Sequence, residues 1–252
     1  MSRSSRQDLK AMILAAGRGT RMRPLSDSLP KALVPLGGRP LIHHPLRWLK
    51  SQGLCEVVIN THHLGEAIMR ELGDGGGLGM KIHYSPETKL LGTGGGVARA
   101  MKTFGPGRLV LINSDTLIDA SLDDLLARHG EARAVATLVV IPEREPGVFT
   151  RLLCDEQQLL RAIGKNPELD RGLAQTLTAA TYTGLCLLEP ELIQRLPADR
   201  PACLVRDALI PALVRGDPVA VLFHRGYWNG LDTLERVKRA EADIKSGAFT
   251  PP

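Results

Sequence analysis

Two short stretches near the N-terminus of this 252-residue chain gather residues able to hold phosphate. The first runs Leu14-Ala15-Ala16-Gly17-Arg18-Gly19-Thr20-Arg21-Met22-Arg23-Pro24. Glycines let backbone N–H groups come close to a phosphate, and arginines add charge and forked donors. No G-K-[ST] follows, so the stretch is not a Walker A loop, and the third glycine of a dinucleotide fingerprint is missing. The second stretch, Pro30 to Ile42, sets Lys31 between a proline turn and a short apolar run. Further on, Asp115 follows the apolar run Arg108 to Asn113. An aspartate there is equally a turn or helix-capping residue. Taken singly, each feature is as ordinary as it is chemical: a solvated turn, a surface lysine, a cap.

Together the two stretches resemble the paired signature of the sugar-1-phosphate nucleotidyltransferases. That signature reads L-A-A-G-x-G-T-R-[LM]-x-P and then P-K-x-L-x-P-[IVL]-x-G-x-P-[LM]-I, and both parts match almost position by position. The resemblance continues at Leu91-Gly92-Thr93-Gly94-Gly95-Gly96, at Asn113-Ser114-Asp115 and at Tyr182-Thr183-Gly184. It implies a reaction in which a sugar 1-phosphate oxygen attacks the α-phosphate of an NTP, UTP or GTP, and pyrophosphate leaves. It also implies roles. Leu14, Ala15, Ala16, Gly17, Gly19 and Thr20 would hold the nucleotide and its phosphates, and Gly92, Thr93, Gly94 and Gly95 the base or ribose. Arg21 would neutralise the triphosphate, and Lys31 would lie against the α-phosphate. Asp115 would hold Mg²⁺, and Thr183 and Gly184 would stand near the sugar.

The pattern breaks in two places. The family's second metal aspartate lies in W-x-D-[IV]-G-T, where this chain reads Trp228-Asn229-Gly230-Leu231-Asp232-Thr233. Glycine brings no side-chain ligand, so either Asp232 or Asn229 supplies the second metal oxygen, or waters do, or the site has decayed. As the bland reading, Asp232 caps the helix that follows. The family's F-x-E-K-P is replaced by Ile163-Gly164-Lys165-Asn166-Pro167. Lys165 either reaches the sugar phosphate from a shifted backbone or is a solvated loop lysine. These losses leave an alternative reading: a catalytically weak or inactive homologue that binds nucleotide or NDP-sugar as a sensor or regulatory subunit.

Such residues need a scaffold. At 43% hydrophobic and 23% charged, with a net charge of +5, the chain reads as globular rather than disordered. Strand and helix patterns alternate from Lys10 to Ile141: runs at 10–15, 56–60, 81–84, 108–113 and 134–141 are separated by helical spacing at 41–52, 65–72, 93–102 and 122–129. This alternation predicts an α/β fold, a Rossmann-like, mostly parallel mixed sheet flanked by helices. A hairpin at 149–163, a long strand at 179–188, a helix at 204–214, a strand at 219–224 and a terminal helix at 233–245 complete the reading. Residues 1–8 read as a disordered leader and 9–250 as one domain. Its nucleotide-binding half spans 9–141, its smaller sugar-binding lobe 142–232, and a C-terminal helix 233–246. No apolar run nears the roughly 18 residues that span a bilayer. Basic residues are scattered without a stacking series, which argues against nucleic acid. The four cysteines read as buried reduced thiols in a cytoplasmic protein, a monomer or homodimer.

Overall fold

A computed structural model describes residues 8–164 and 177–251. Lys165 therefore lies outside the described residues, as does nearly all of the expected leader. Among the described residues the centre is a nine-stranded sheet. The chain opens with β1 (Leu9–Leu14), a small hairpin of β2 (Pro35–Leu36) and β3 (Arg39–Pro40), and α1 (His43–Ser51). There follow β4 (Glu56–Thr61), α2 (Gly65–Leu72), β5 (Lys81–Pro86), α3 (Gly92–Phe104) and β6 (Arg108–Asn113). Next come β7 (Thr116–Ile118), α4 (Leu122–Ala132), β8 (Ala136–Pro142), β9 (Arg151–Cys154) and β10 (Leu160–Ile163). The chain closes with β11 (Thr178–Leu188), α5 (Pro190–Gln194), α6 (Ile210–Val214), β12 (Val219–Phe223), β13 (Trp228–Gly230) and α7 (Leu234–Lys245).

β1 lies between β4 and β6 and is parallel to both. From β1 the chain moves outward to β4 and β5, then returns through α3 to β6 on the other side of β1. The strand order thus reverses at β1, and open α/β sheets bind ligands outside the C-terminal strand ends at such a reversal. Packing follows the period of two. In β1, Met12 faces one core with Val97 and Met101 of α3, while Ala11 and Ile13 face the other with Leu46 of α1 and Ile68 of α2. In β6, Leu109 and Leu111 join the first core, and Val110 and Ile112 the second. Both faces are covered, which is why these strands read as unbroken apolar runs.

The second half joins the same sheet. β11 runs antiparallel to β6, and β8 and β12 extend the sheet beyond it. The pairing of β11 with β8 shifts between Tyr182 and Cys186. Within that break lies Gly184 at φ +91°, where an added Cβ would stand 2.5 Å from Thr116 Oγ1. The expected helix at 204–214 divides into a π turn over 205–209 and α6. One expectation about the thiols needs correction: Cys55 is exposed and Cys203 partly so, because both sit at element ends rather than inside the apolar runs beside them. Cys154 and Cys186 are buried, and burial pushes both thiols up to about 12.

Candidate active site

The C-terminal ends of three neighbouring strands build the floor of a cleft. Leu14 of β1 stands in register with Asn60 of β4 on one side and Asn113 of β6 on the other. Asn60 Oδ1 accepts from the N–H of Ala15 at 2.9 Å, which fixes the start of the glycine loop. The Asn60 amide donates in turn to Glu87 Oε1 at 2.8 Å, and Glu87 Oε2 accepts from the Leu91 N–H at 2.8 Å. A buried carboxylate thus ties the glycine loop to the entrance of α3. Neither Asn60 nor Glu87 was expected as a site residue. A signal existed, since the runs EVVIN and RLVLIN both end in asparagine.

Above this floor lie two neighbouring cavities. The first, about 390 Å³, is walled by Leu14, Ala15, Ala16, Gly17, Lys31, Gly92 and Thr93. The second, about 240 Å³, is walled by Tyr182, Thr183, Gly184, Trp228, Gly230 and Asp232. Arg21, Asn113 and Asp115 line both. Residues distant in sequence therefore meet at one wall.

Charge at that wall is arranged in two pairs. Lys31 Nζ contacts Asp115 Oδ2, and Arg21 contacts Asp232 Oδ2. Gly19 adopts φ +62°, and a Cβ there would stand 2.9 Å from Lys31 Cβ, so the glycine makes room for the lysine. Asp115 is held from behind as well, because its carbonyl accepts from the Leu231 N–H at 2.8 Å. That bond brings the segment carrying Gly230 and Asp232 beside the end of β6.

Asp232 does not cap the last helix. Thr233 Oγ1 does so, accepting from the Arg236 N–H at 3.3 Å. Asp232 is left buried at the cavity wall, where its Oδ1 accepts no hydrogen bond and Arg236 Nε lies 3.4 Å away. Asp115 and Asp232 are the carboxylates able to hold a divalent ion here. A buried oxygen without a hydrogen bond suits that use, and Mg²⁺ takes one or two carboxylates together with phosphate and water oxygens.

Four of the expected nucleotide contacts stand back from both cavities. Gly94 and Gly95 are buried inside α3, where an added Cβ at Gly95 would meet the Arg200 carbonyl at 2.7 Å and one at Gly94 the Leu204 nitrogen at 3.1 Å. They let the helix pack closely on the 200–204 loop. Gly19 acts through Lys31, and Thr20 is an exposed residue opening a short 3-10 turn. Thr183 lines the second cavity, but its hydroxyl is spent on the Val139 carbonyl at 2.8 Å. Its own carbonyl accepts from Trp228 Nε1 at 2.8 Å and Thr116 Oγ1 at 3.0 Å.

Fold and cleft together define an α/β protein whose two cavities meet at one wall of paired charges. The chain belongs to the nucleotidyl transferase family, whose match covers residues 10–247. It is 35% identical to an N-acetylmuramate alpha-1-phosphate uridylyltransferase of Neisseria meningitidis, over 93% of this chain and 97% of that protein. It is 30% identical to a mannose-1-phosphate guanylyltransferase of Mycobacterium tuberculosis, over 96% of this chain and 66% of the longer relative. Its fold matches the crystal structure of HddC from Yersinia pseudotuberculosis complexed with GMP-PN, with a TM-score of 0.76, 19% identity and coverage of 93% and 99%.

Proposed function

We propose that this chain transfers a nucleotidyl group from an NTP to a sugar 1-phosphate, releasing pyrophosphate and an NDP-sugar. The observation that carries the reading is the shared wall: Arg21, Asn113 and Asp115 face both cavities. The first cavity suits the nucleotide. Its glycine loop offers backbone donors, and Leu90, exposed at 37%, offers an apolar surface to a base. The second suits the sugar, with the Trp228 and Tyr182 rings on its wall. Burial raises the Tyr182 phenol well above its ordinary value, so it stays protonated at neutral pH.

The physical problem is two anions meeting in line, so catalysis is mainly positioning and charge neutralisation. Lys31 supports the α-phosphate as negative charge builds on it, and Arg21 supports the triphosphate and the departing pyrophosphate. Both cations are already oriented by the carboxylates they pair with. Asp115 and Asp232 would hold Mg²⁺, which supplies charge neutralisation at the phosphates. Uridylyl- and guanylyltransferase relatives make UTP and GTP the expected donors. We place the activity in the cytoplasm, where nucleoside triphosphates meet reduced thiols. Pyrophosphate release with four NTPs against a panel of sugar 1-phosphates tests the reading. Release with at least one pair supports it, and release with none defeats it.

A further inference from the structure

Behind the sugar cavity lies a third, of about 180 Å³, which shares Phe149 and Trp228 with it. Those two rings meet edge to face at 5.6 Å and form a partition. Four of the chain's nine aromatic residues, Phe149, Tyr182, Tyr227 and Trp228, line these two spaces. In a chain so poor in aromatics this is a concentrated surface for sugar C–H faces.

The charge of the third cavity is uneven. Arg236 lies under the Phe149 ring at 4.9 Å and is committed to Asp232 and Glu145. Asp243 is committed to the Tyr227 hydroxyl at 2.7 Å. Arg144 and Arg239 also line the cavity, and neither has a hydrogen bond or ion pair with any described residue. Three arginines thus face two carboxylates across this cavity, and the exposed guanidinium groups of Arg144 and Arg239 are free to turn to a ligand. Guanidinium forks match carboxylate and phosphate oxygens.

We infer that the sugar 1-phosphate taken by this chain carries a second compact anionic group, held by Arg144 and Arg239 beyond the Phe149–Trp228 partition. The inference rests on the transferase reading and narrows its substrate class. Arg236 serves as the joint between the two sites: one face meets the Asp232 carboxylate of the reacting centre, the other the wall of the anion pocket.

The test uses matched acceptors with the full chain. N-acetylglucosamine 1-phosphate is compared with N-acetylmuramate 1-phosphate, and glucose 1-phosphate with glucuronate 1-phosphate and with glucose 1,6-bisphosphate. The expected result is a preference of about tenfold or more in kcat/KM for the anionic member of at least one set. The set that shows it tells carboxylate from phosphate. In an Arg144→Ser/Arg239→Ser double variant, with its Tm measured to confirm folding, that ratio collapses towards one. A neutral member used as well or better in every set overturns the inference and leaves the transferase reading standing. So does a ratio that survives in the double variant. Pyrophosphate from no acceptor of either kind removes both.

Discussion

Asp232 stands two residues beyond the glycine that occupies the family's aspartate position, yet its carboxylate reaches the cavity wall. It can do so because Thr233 caps α7 in its place. From the sequence both roles were open for Asp232, since an aspartate before a helix is a capping signal. Only the backbone around Thr233 decides between them. An Asp232→Asn variant should raise the Mg²⁺ concentration for half-maximal rate by about tenfold or more. An unchanged Mg²⁺ titration would remove Asp232 from the site. Gly230→Asp should bring no gain in kcat/KM, because an added Cβ stands 3.2 Å from Trp228 Cζ2 and the carboxylate already has a supplier. A large gain would mean that the site lacks its second carboxylate. Lys31→Ala should cost at least about 2.7 kcal/mol of transition-state stabilisation, about a hundredfold in kcat/KM. Circular dichroism would confirm that the variant folds, and an unaltered kcat/KM would refute the lysine's role.

At the scale of elements, most of the first half is legible because its inner strands are buried on both faces and α1, α2 and α3 stop at or just before a glycine, whereas α4 runs through Gly130 to Ala132. The run Arg108 to Asn113 is β6 to the residue, and residues 65–72 are α2. What escaped the sequence was made by distant pairing. β7 and β13 are three residues each and exist as strands because Trp228 to Gly230 lies antiparallel to Thr116 to Ile118. No local pattern announces so short a pair. The packing role of two glycines is hidden for the same reason: at Gly94 and Gly95 it is the 200–204 loop that needs the space. Gly19→Ala tests the element that seats Lys31. The strained φ and the close Lys31 Cβ should lower kcat/KM and stability together, the latter by more than about 1 kcal/mol. A variant with parental kcat/KM would show that the lysine is seated otherwise. The helix α4 carries a pH prediction. His129 is buried between Thr137 Oγ1 at 2.8 Å and Glu189 Oε1 at 2.9 Å. Burial, stronger than the opposing effect of Glu189, lowers its pKa below 6.5, and burial does the same to His44 in α1. The unfolded chain then binds protons that the folded chain refuses. Their contribution is full above about pH 6.5 and is lost as the pH falls below it. Tm should fall between about pH 7.5 and about pH 5.5, and fall less in His129→Gln. Equal slopes for the two proteins would contradict this assignment.

Across the whole molecule, the cleft is a meeting of the two halves. Arg21 comes from the first loop, Asp115 from the end of β6, and Asp232 and Arg236 from the last fifth of the chain. A chain of ion pairs, Arg21 to Asp232 to Arg236 to Glu145, runs from the nucleotide side to the loop before β9. This row of charges joins the walls of the three cavities. No helix among the described residues is long and apolar enough to cross a membrane. The most direct measurement follows the label. The protein is incubated with a sugar 1-phosphate and an NTP carrying phosphorus label at either the α or the γ position. The account predicts α-label in the NDP-sugar and γ-label in pyrophosphate, with both transfers strongly reduced in Lys31→Ala. Alpha label that reaches no sugar phosphate from any of the four NTPs would contradict it.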